Sequence, residues 1–284
     1  MAKIIDGKAV SAAVKEQVKA ETERLKEQGI TPGLAVVLVG DDPASRVYVN
    51  NKKKACELVG FYSEEYALSA DTTQQELLEL VDKLNHDNKI NGILVQLPLP
   101  KHLDDKAVIA AIDPKKDVDA FHAENVGKIM IGDYKFLPCT PAGVMELLAS
   151  ENIEIEGKNC VVIGRSNIVG KPMAMLLLHK NGTVTITHSR TKNLKEICLN
   201  ADIIVAAVGI AKFLKADMVK PGAVVIDVGM DRDENGKLCG DVDFAEVEKR
   251  ASYITPVPGG VGPMTIAMLM KNTLMSAKIA NGLE

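Results

Sequence analysis

The chain has 284 residues, 46% of them hydrophobic and 25% charged, enough to bury a core without disulfide or metal support. Its 34 basic and 38 acidic residues give a net charge of −4. That balance speaks against a nucleic-acid partner or a membrane surface, both of which attract a basic face.

From Gly7 to Gln28, Val10, Val14, Val18 and Leu25 recur at helical spacing, with Gly29 as a stop. The apolar run Leu34–Val39 predicts a buried strand. A helix over Ala44–Val59 closes at Gly60, and a second strand covers Phe61–Leu68. Asp71-Thr72-Thr73 followed by Gln74-Gln75-Glu76 has the form of a capping box and opens a helix reaching His86. Gly92–Leu97 reads as a third strand ended by Pro98 and Pro100, and Asp104–Ile112 as a helix. The alternation predicts a parallel sheet covered by helices. The stretch from Asp113 to Pro138 lacks clear periodicity and reads as a crossover between domains. Thr140-Pro141 then has the form of a helix start, a hydroxyl cap followed by proline. In the second half, strands are expected at Asn159–Ile163, Thr183–His188, Asp202–Val208 and Ala223–Val228, and a last helix at Pro263–Ala280.

Cys56, Cys139, Cys160, Cys198 and Cys239 form no CxxC pair and read as reduced thiols of a cytoplasmic protein. The first residues have no signal-peptide pattern, and no run reaches the ~18 apolar residues of a membrane span. The five histidines show no metal-ligand spacing, so no metal is expected.

The strand Cys160–Ile163 runs into Gly164-Arg165-Ser166-Asn167-Ile168-Val169-Gly170 and a helix. Glycines at such a turn let the backbone approach a phosphate, with the helix N-terminus facing the anion. The spacing is not G-x-G-x-x-G, so alone it reads equally as a structural turn. The alternation that follows favours a dinucleotide. The next strand ends in His188-Ser189-Arg190-Thr191, where an NAD site would place an acidic residue. A hydroxyl and a cation there, with Arg165 in the first turn, suit an extra phosphate and so NADP. Read otherwise, Arg190 is a solvated surface charge. Met230, at the end of the fourth strand, lies at the same sheet edge and is counted with the cofactor-binding residues.

Tyr48 and Lys52, four residues apart on the second helix, project from one face. By spacing alone they also read as an exposed tyrosine beside the lysine run Lys52-Lys53-Lys54. Gln96-Leu97-Pro98-Leu99-Pro100, Asp117-Val118-Asp119 and Thr255–Thr265 (TPVPGGVGPMT) each read singly as a plain turn. In this order, with PCTPxG at Pro138–Gly143 and GRSxxVGxP at Gly164–Pro172, they closely resemble the bifunctional methylenetetrahydrofolate dehydrogenase/methenyltetrahydrofolate cyclohydrolase family. The resemblance runs from Ile4-Ile5-Asp6-Gly7 to the last helix.

The resemblance implies two α/β domains. Residues 1–138 plus 264–284 form a folate-binding domain, to which the C-terminal helix returns, and residues 139–263 form a Rossmann-like NADP-binding domain. It implies a homodimer joined through the dinucleotide domains, with folate held in the cleft between domains, and a place in one-carbon metabolism and purine biosynthesis. Lys52 matches the catalytic lysine, Tyr48 the tyrosine that stacks on the folate, Gln96 the glutamine that tunes the lysine, and Asp119 the acid that holds the pterin. Pro258, Gly259 and Gly260 join the substrate-binding set. Gly164, Arg165, Ser166 and Ser189 match the NADP site. The family usually reads D-V-D-G, whereas Ala120 follows Asp119 here. If that glycine supplies a positive φ, alanine strains the loop.

The chemistry implied is hydride transfer from 5,10-methylenetetrahydrofolate to NADP, then hydrolysis to 10-formyltetrahydrofolate with Lys52 as general acid/base. Three rivals share part of the pattern: an NAD-linked dehydrogenase without cyclohydrolase activity, a hydroxy-acid or shikimate-type dehydrogenase, and a non-enzymatic dinucleotide sensor. Lys52 and the segment His188–Thr191 speak against the first, the second has no use for the set Tyr48, Lys52 and Gln96, and the third predicts cofactor binding without turnover of any folate.

Overall fold

The computed structural model describes residues 1–284, the side chain of Ala44 excepted. In chain order the elements are β1 (Lys3–Ile4), α1 (Gly7–Glu27), β2 (Gly33–Val39), α2 (Pro43–Val59), β3 (Tyr62–Leu68), α3 (Gln74–His86), β4 (Gly92–Val95), α4 (Asp105–Ala111), α5 (Ala123–Ile131) and α6 (Cys139–Ser150). There follow β5 (Asn159–Ile163), α7 (Gly170–His179), β6 (Thr183–Thr187), α8 (Leu194–Leu199), β7 (Ile203–Ala206), β8 (Val224–Asp227), β9 (Asp231–Arg232), β10 (Leu238–Cys239), α9 (Phe244–Val247), β11 (Tyr253–Ile254) and α10 (Val261–Ala280). The chain divides into two compact units, Ala13–Leu137 with Ile266–Glu284, and Met1–Ala12 with Pro138–Thr265.

The first of these, the N-terminal unit, is built on three parallel strands in the order β3-β2-β4. Every residue of β2 is buried, as expected of a central parallel strand covered on both faces. Leu77, Val81 and Leu84 of α3 and Val108 of α4 pack with Ala35, Val37 and Val39 of β2 and Ile93 and Val95 of β4. The capping box forms: Thr73 Oγ1 accepts from the Glu76 amide, and Glu76 accepts from the Thr73 amide. Gly60 closes α2 at φ 79°, a left-handed conformation that glycine adopts without a Cβ penalty.

Helix α5 lies in the stretch that showed no clear periodicity. His122 caps it through its ring nitrogen, which accepts from the Glu124 amide. Gly127 in mid-helix and the exposed Met130 and Ile131 blur the apolar stripe by which such a helix is read.

The last helix returns to this unit, as the resemblance implied. Asn272 Nδ2 donates to Val118 O and Leu137 O, both at 2.8 Å. Ser276 Oγ lies 2.6 Å from Asn91 O and 2.8 Å from Lys115 O. The segment from Lys115 to Val118 is thus fixed by side chains about 150 positions away in the chain.

The main sheet of the C-terminal unit has six strands, all parallel, in the order β1-β11-β8-β7-β5-β6, and β9 and β10 form a separate antiparallel pair. After β6 the chain crosses to the other side of β5 to make β7, so the strand order reverses at β5. Ligands of open parallel sheets lie beyond the carboxyl ends of the strands at such a reversal. The expected strands β5–β8 are present, β5 with the bounds anticipated and β6, β7 and β8 slightly shorter. Strands β1 and β11 and the β9–β10 hairpin, of two residues per strand, are too short to carry a periodic signal.

Two expectations need correction. Met1–Ala12 packs with the C-terminal unit, not with the folate-binding stretch: Lys3 and Ile4 pair with Tyr253 and Ile254, and the Ile5 amide donates to Ile254 O at 2.9 Å. Helix α6 begins two residues early, at Cys139 and not at Pro141, and Thr140 does not cap it. The Thr140 hydroxyl instead lies 3.2 Å from that of Thr265, a tertiary partner invisible to local pattern. Among the described residues no helix is long and apolar enough to cross a membrane.

Replacing Asn272 with alanine removes the side-chain donor from Val118 O, in the Lys115–Val118 segment, and from Leu137 O. The expected cost is about 2 kcal/mol or more in urea unfolding, the scale of buried carbonyls losing their partners.

Candidate active and dinucleotide sites

In the N-terminal unit, Asp42 caps α2 by accepting from the Ser45 amide at 2.7 Å, and Pro43 occupies the first turn. The helix buries Val49, Lys52, Cys56 and Val59 along one stripe. Lys52 is 8% exposed, whereas the adjoining Lys53 and Lys54 are exposed. The lysine run is therefore not a uniformly solvated face. Lys52 Nζ donates to Gln96 Oε1 at 2.8 Å.

Gln96 sits one residue beyond β4. Its amide donates to Val37 O at 2.8 Å, continuing the pairing with β2. Its Nε2 donates to Leu97 O at 2.7 Å, which orients the carboxamide so that the oxygen faces the ammonium. A neutral amide satisfies a buried ammonium without the opposing charge that would hold it protonated more firmly. Tyr48 stands one turn before Lys52, half-buried, and burial raises its phenol pKa.

Asp119 lies in the loop after β4, half-buried. The loop is tied to the sheet by a bridge between Ile93 and Asp117. Asp117 is buried, and its Oδ2 accepts from the His122 amide at 2.8 Å and from Asn125 Nδ2 at 2.9 Å. Burial raises its pKa against those bonds, which favour the charged form. Asp117 therefore anchors the loop that carries Asp119. The signal in the sequence is the doubled acid of Asp117-Val118-Asp119, of which the first is buried and the second half-buried. Ala120, which follows, is fully buried at φ 56°, the left-handed conformation that a glycine would take without strain.

In the C-terminal unit, Gly164 follows β5 at φ 123°, and a Cβ built on it would lie 2.1 Å from Ala207 O. A Cβ on Gly170 would lie 2.4 Å from Gly164 O. Only glycine allows this close crossing of the turn and the start of α7. Ser166 Oγ accepts from the Val169 and Gly170 amides at 3.1 and 3.2 Å. The first amides of the helix, which the sequence reading turned toward an anion, are thus capped by the chain itself. The Gly164 amide donates to Thr187 O at 2.9 Å, so this turn and the turn His188–Thr191 leave the sheet side by side. Arg165, Ser166, Ser189 and Arg190 are exposed there. Met230 is exposed beyond β8.

The turn holding Pro258, Gly259 and Gly260 is backed by the start of α1. A Cβ on Gly7 would lie 1.8 Å from Gly260 O, and Ser11 Oγ donates to Pro263 O at 2.9 Å.

Replacing Ala120 with glycine relieves a left-handed alanine without opening a cavity larger than a methyl group. The variant is expected to gain about 1 kcal/mol in equilibrium unfolding, the scale of the left-handed penalty for a residue with a Cβ. A loss of stability would mean that the buried methyl contributes more than the strain costs.

Residues 5–119 match the model of the tetrahydrofolate dehydrogenase/cyclohydrolase catalytic domain, and residues 138–281 that of the NAD(P)-binding domain of the same family. The bifunctional protein FolD of Acetivibrio thermocellus is 65% identical over 98% of both chains. The crystal structure of the bifunctional FolD dehydrogenase/cyclohydrolase of Campylobacter jejuni is 53% identical, with a TM-score of 0.96 over 98% of this chain and 99% of that one. The Trypanosoma brucei methylenetetrahydrofolate dehydrogenase-cyclohydrolase, complexed with NADP and an inhibitor, is 41% identical, with a TM-score of 0.95 over 99% and 98% of the two chains. Two matched domains and full-length relatives at this identity place the chain in the tetrahydrofolate dehydrogenase/cyclohydrolase family.

Proposed function

We propose that the protein oxidises 5,10-methylenetetrahydrofolate to 5,10-methenyltetrahydrofolate with NADP and hydrolyses the product to 10-formyltetrahydrofolate. The observation that carries this reading is the buried Lys52 hydrogen-bonded at 2.8 Å to Gln96, on a helix that also presents Tyr48. A dehydrogenase alone has no need of a buried amine, because hydride loss leaves a cation spread over N5 and N10 and requires no strong base.

NADP, when bound, supplies the hydride acceptor. Gly164, Arg165, Ser166, Ser189 and Met230 hold it in this reading. The turn can approach a phosphate because Gly164 has no side chain. Arg165 and Ser189 offer a cation and a hydroxyl, with no acid beside them to select NAD. Tyr48 stacks on the folate ring system, Asp119 accepts hydrogen bonds from the pterin, and Pro258, Gly259 and Gly260 line the substrate site.

In the hydrolytic step, water attacks the carbon between N5 and N10, and the bond from that carbon to N5 breaks. Lys52 moves the protons, relaying one from the attacking water and supplying one to the departing nitrogen. Gln96 keeps the amine pointed at the reacting atoms. Positioned proton transfer of this kind contributes about 100- to 10,000-fold to rate.

The protein is further proposed to act as a homodimer joined through its C-terminal unit, in the cytoplasm, in the one-carbon supply to purine biosynthesis. Strand β6 supports the dimer: it is an edge strand, exposed at Thr183, Thr185 and Ile186, and unpaired edges of this kind invite a second strand. Light scattering is expected to give twice the chain mass, and a monomer at micromolar concentration removes this part of the reading.

The decisive assay gives the protein methylenetetrahydrofolate with NADP, and separately with NAD, while reduced cofactor and methenyl absorbance are followed together. Reduction of NADP with little methenyl accumulation is expected. In the Lys52→Met variant, hydrolysis should fall by about 100-fold or more and methenyl should accumulate. Hydrolysis near the wild-type rate in that variant removes Lys52 from the mechanism.

A further inference from the structure

Two buried carboxylates in the C-terminal unit have no part in the reading above. Asp227 ends β8, and Asp241 follows the β9–β10 hairpin. They are 2% and 0% exposed. Asp241 Oδ2 accepts from the Val208 and Gly209 amides at 2.6 and 3.2 Å, and its Oδ1 from the Ile210 amide at 2.9 Å. Asp227 Oδ1 accepts from the Gly229 and Asp241 amides at 3.0 and 2.9 Å, and its Oδ2 from the Val242 amide at 3.0 Å. A Cβ on Gly240 would lie 2.1 Å from Asp227 Oδ2, and one on Gly229 would lie 2.5 Å from Asp241 Oδ1. Two side-chain-free positions therefore let the carboxylates approach. Burial pushes the Asp227 carboxyl up to about 7 in spite of its amide partners. Burial, and then a hydrogen bond to Asp241, raise the Asp231 carboxyl.

Burying two carboxylates costs several kcal/mol each before their hydrogen bonds are counted, and apolar residues would pack a sheet edge at no such cost. The amides they gather share a location. Val208, Gly209 and Ile210 follow β7, and Gly229 follows β8, all at the carboxyl ends of the parallel strands. Ala207, one residue earlier, is the neighbour against which Gly164 packs, its carbonyl 2.1 Å from where a Gly164 Cβ would lie. The carboxylates thus grip the wall of the phosphate turn from behind. Among the described residues no group of three or more His, Cys, Asp or Glu is arranged to hold a metal ion, and the carboxylate oxygens are already occupied by amides.

We infer that Asp241, braced by Asp227, is a positioning residue for the dinucleotide, fixing the Ala207–Ile210 loop beside the Gly164 turn before the cofactor binds. This rests on NADP binding at that edge. Three successive amides turned inward onto one carboxylate cannot rearrange singly, so the loop meets the cofactor already set, which lowers the ordering cost of binding.

The test is Asp241→Asn in the full-length protein, which replaces one acceptor oxygen by a donor facing amide donors. NADP affinity is read by titration, and hydrolysis of methenyltetrahydrofolate without any dinucleotide by absorbance. The NADP Kd is expected to rise about tenfold or more, the effect of losing one to two hydrogen bonds to a charged group. Hydrolysis should stay within about threefold of wild type, since it measures transition-state binding that uses no dinucleotide. An unchanged Kd, or equal losses in binding and hydrolysis at a matched folded fraction, overturns the inference. Should the variant fail to fold, hydrogen exchange in the wild type decides: the Val208, Gly209 and Ile210 amides must be protected without NADP, and free exchange overturns it. A wild type that binds no NADP sinks the functional reading itself, whereas a wild type that binds it beside an unaffected variant sinks this inference alone.

Discussion

The hydrogen bond from Lys52 to Gln96 depends on more of the N-terminal unit than its two residues suggest. A lysine is among the side chains least often buried, and one placed on the inner stripe of a helix needs an acceptor at a fixed point. That point is set by β4, whose register against β2 runs Leu34 to Gly92 through Val37 to Val95 and continues into the Gln96 amide. A slip of one residue would turn Gln96 to the other face and leave the ammonium facing apolar side chains. Parallel pairing, helix rotation and site chemistry are therefore one constraint.

Parallel topology explains why the functional side chains gather as they do within each unit. Every strand of both sheets runs the same way as its neighbours, so every strand exit lies on one edge. In the N-terminal unit that edge carries Gln96 after β4. In the C-terminal unit it carries Gly164 after β5, His188–Arg190 after β6, Val208–Ile210 after β7 and Gly229-Met230 after β8. These exits need fixed backbone without strand pairing. The chain achieves this with side-chain oxygens: Ser166 for the turn after β5, Thr191 for the turn after β6, Asp241 and Asp227 beyond β7 and β8.

Much of this was legible from the residues, and the misses share a physical cause. Lys52 was set apart from Lys53 and Lys54 by the family resemblance alone, since spacing left it in the lysine run, and the fold adds the reason: it shares a buried stripe with Val49, Cys56 and Val59. The capping box at Thr73 and the stop at Gly60 are local, and both are where they were expected. Thr140 misled because a hydroxyl before proline has two uses, and the partner that decided between them, Thr265, is far away in sequence. Helix α5 was hidden by Gly127 and by apolar residues left in solvent. Asp241 was the hardest to see: it lies in the charged stretch Asp231–Asp243, which carries no periodic signal, and only the folded sheet shows that it turns inward.

Ala120 brings local conformation and tertiary restraint into direct conflict. An alanine at φ 56° prefers another conformation by about 1–2 kcal/mol, and in a mobile loop it would take it. Here the segment is held on every side: Val118 O accepts from Asn272, the Ala120 amide donates to Asp117 O, and Asp117 is bonded to both His122 and Asn125. Strained backbone persists where its surroundings over-determine it, so the missing glycine is met as stored strain and not as a displaced loop. Asp119, between Val118 and Ala120, keeps its place because its neighbours on both sides cannot move, and the doubled acid of this loop divides into an inner residue that anchors and a half-buried one that the anchored loop carries.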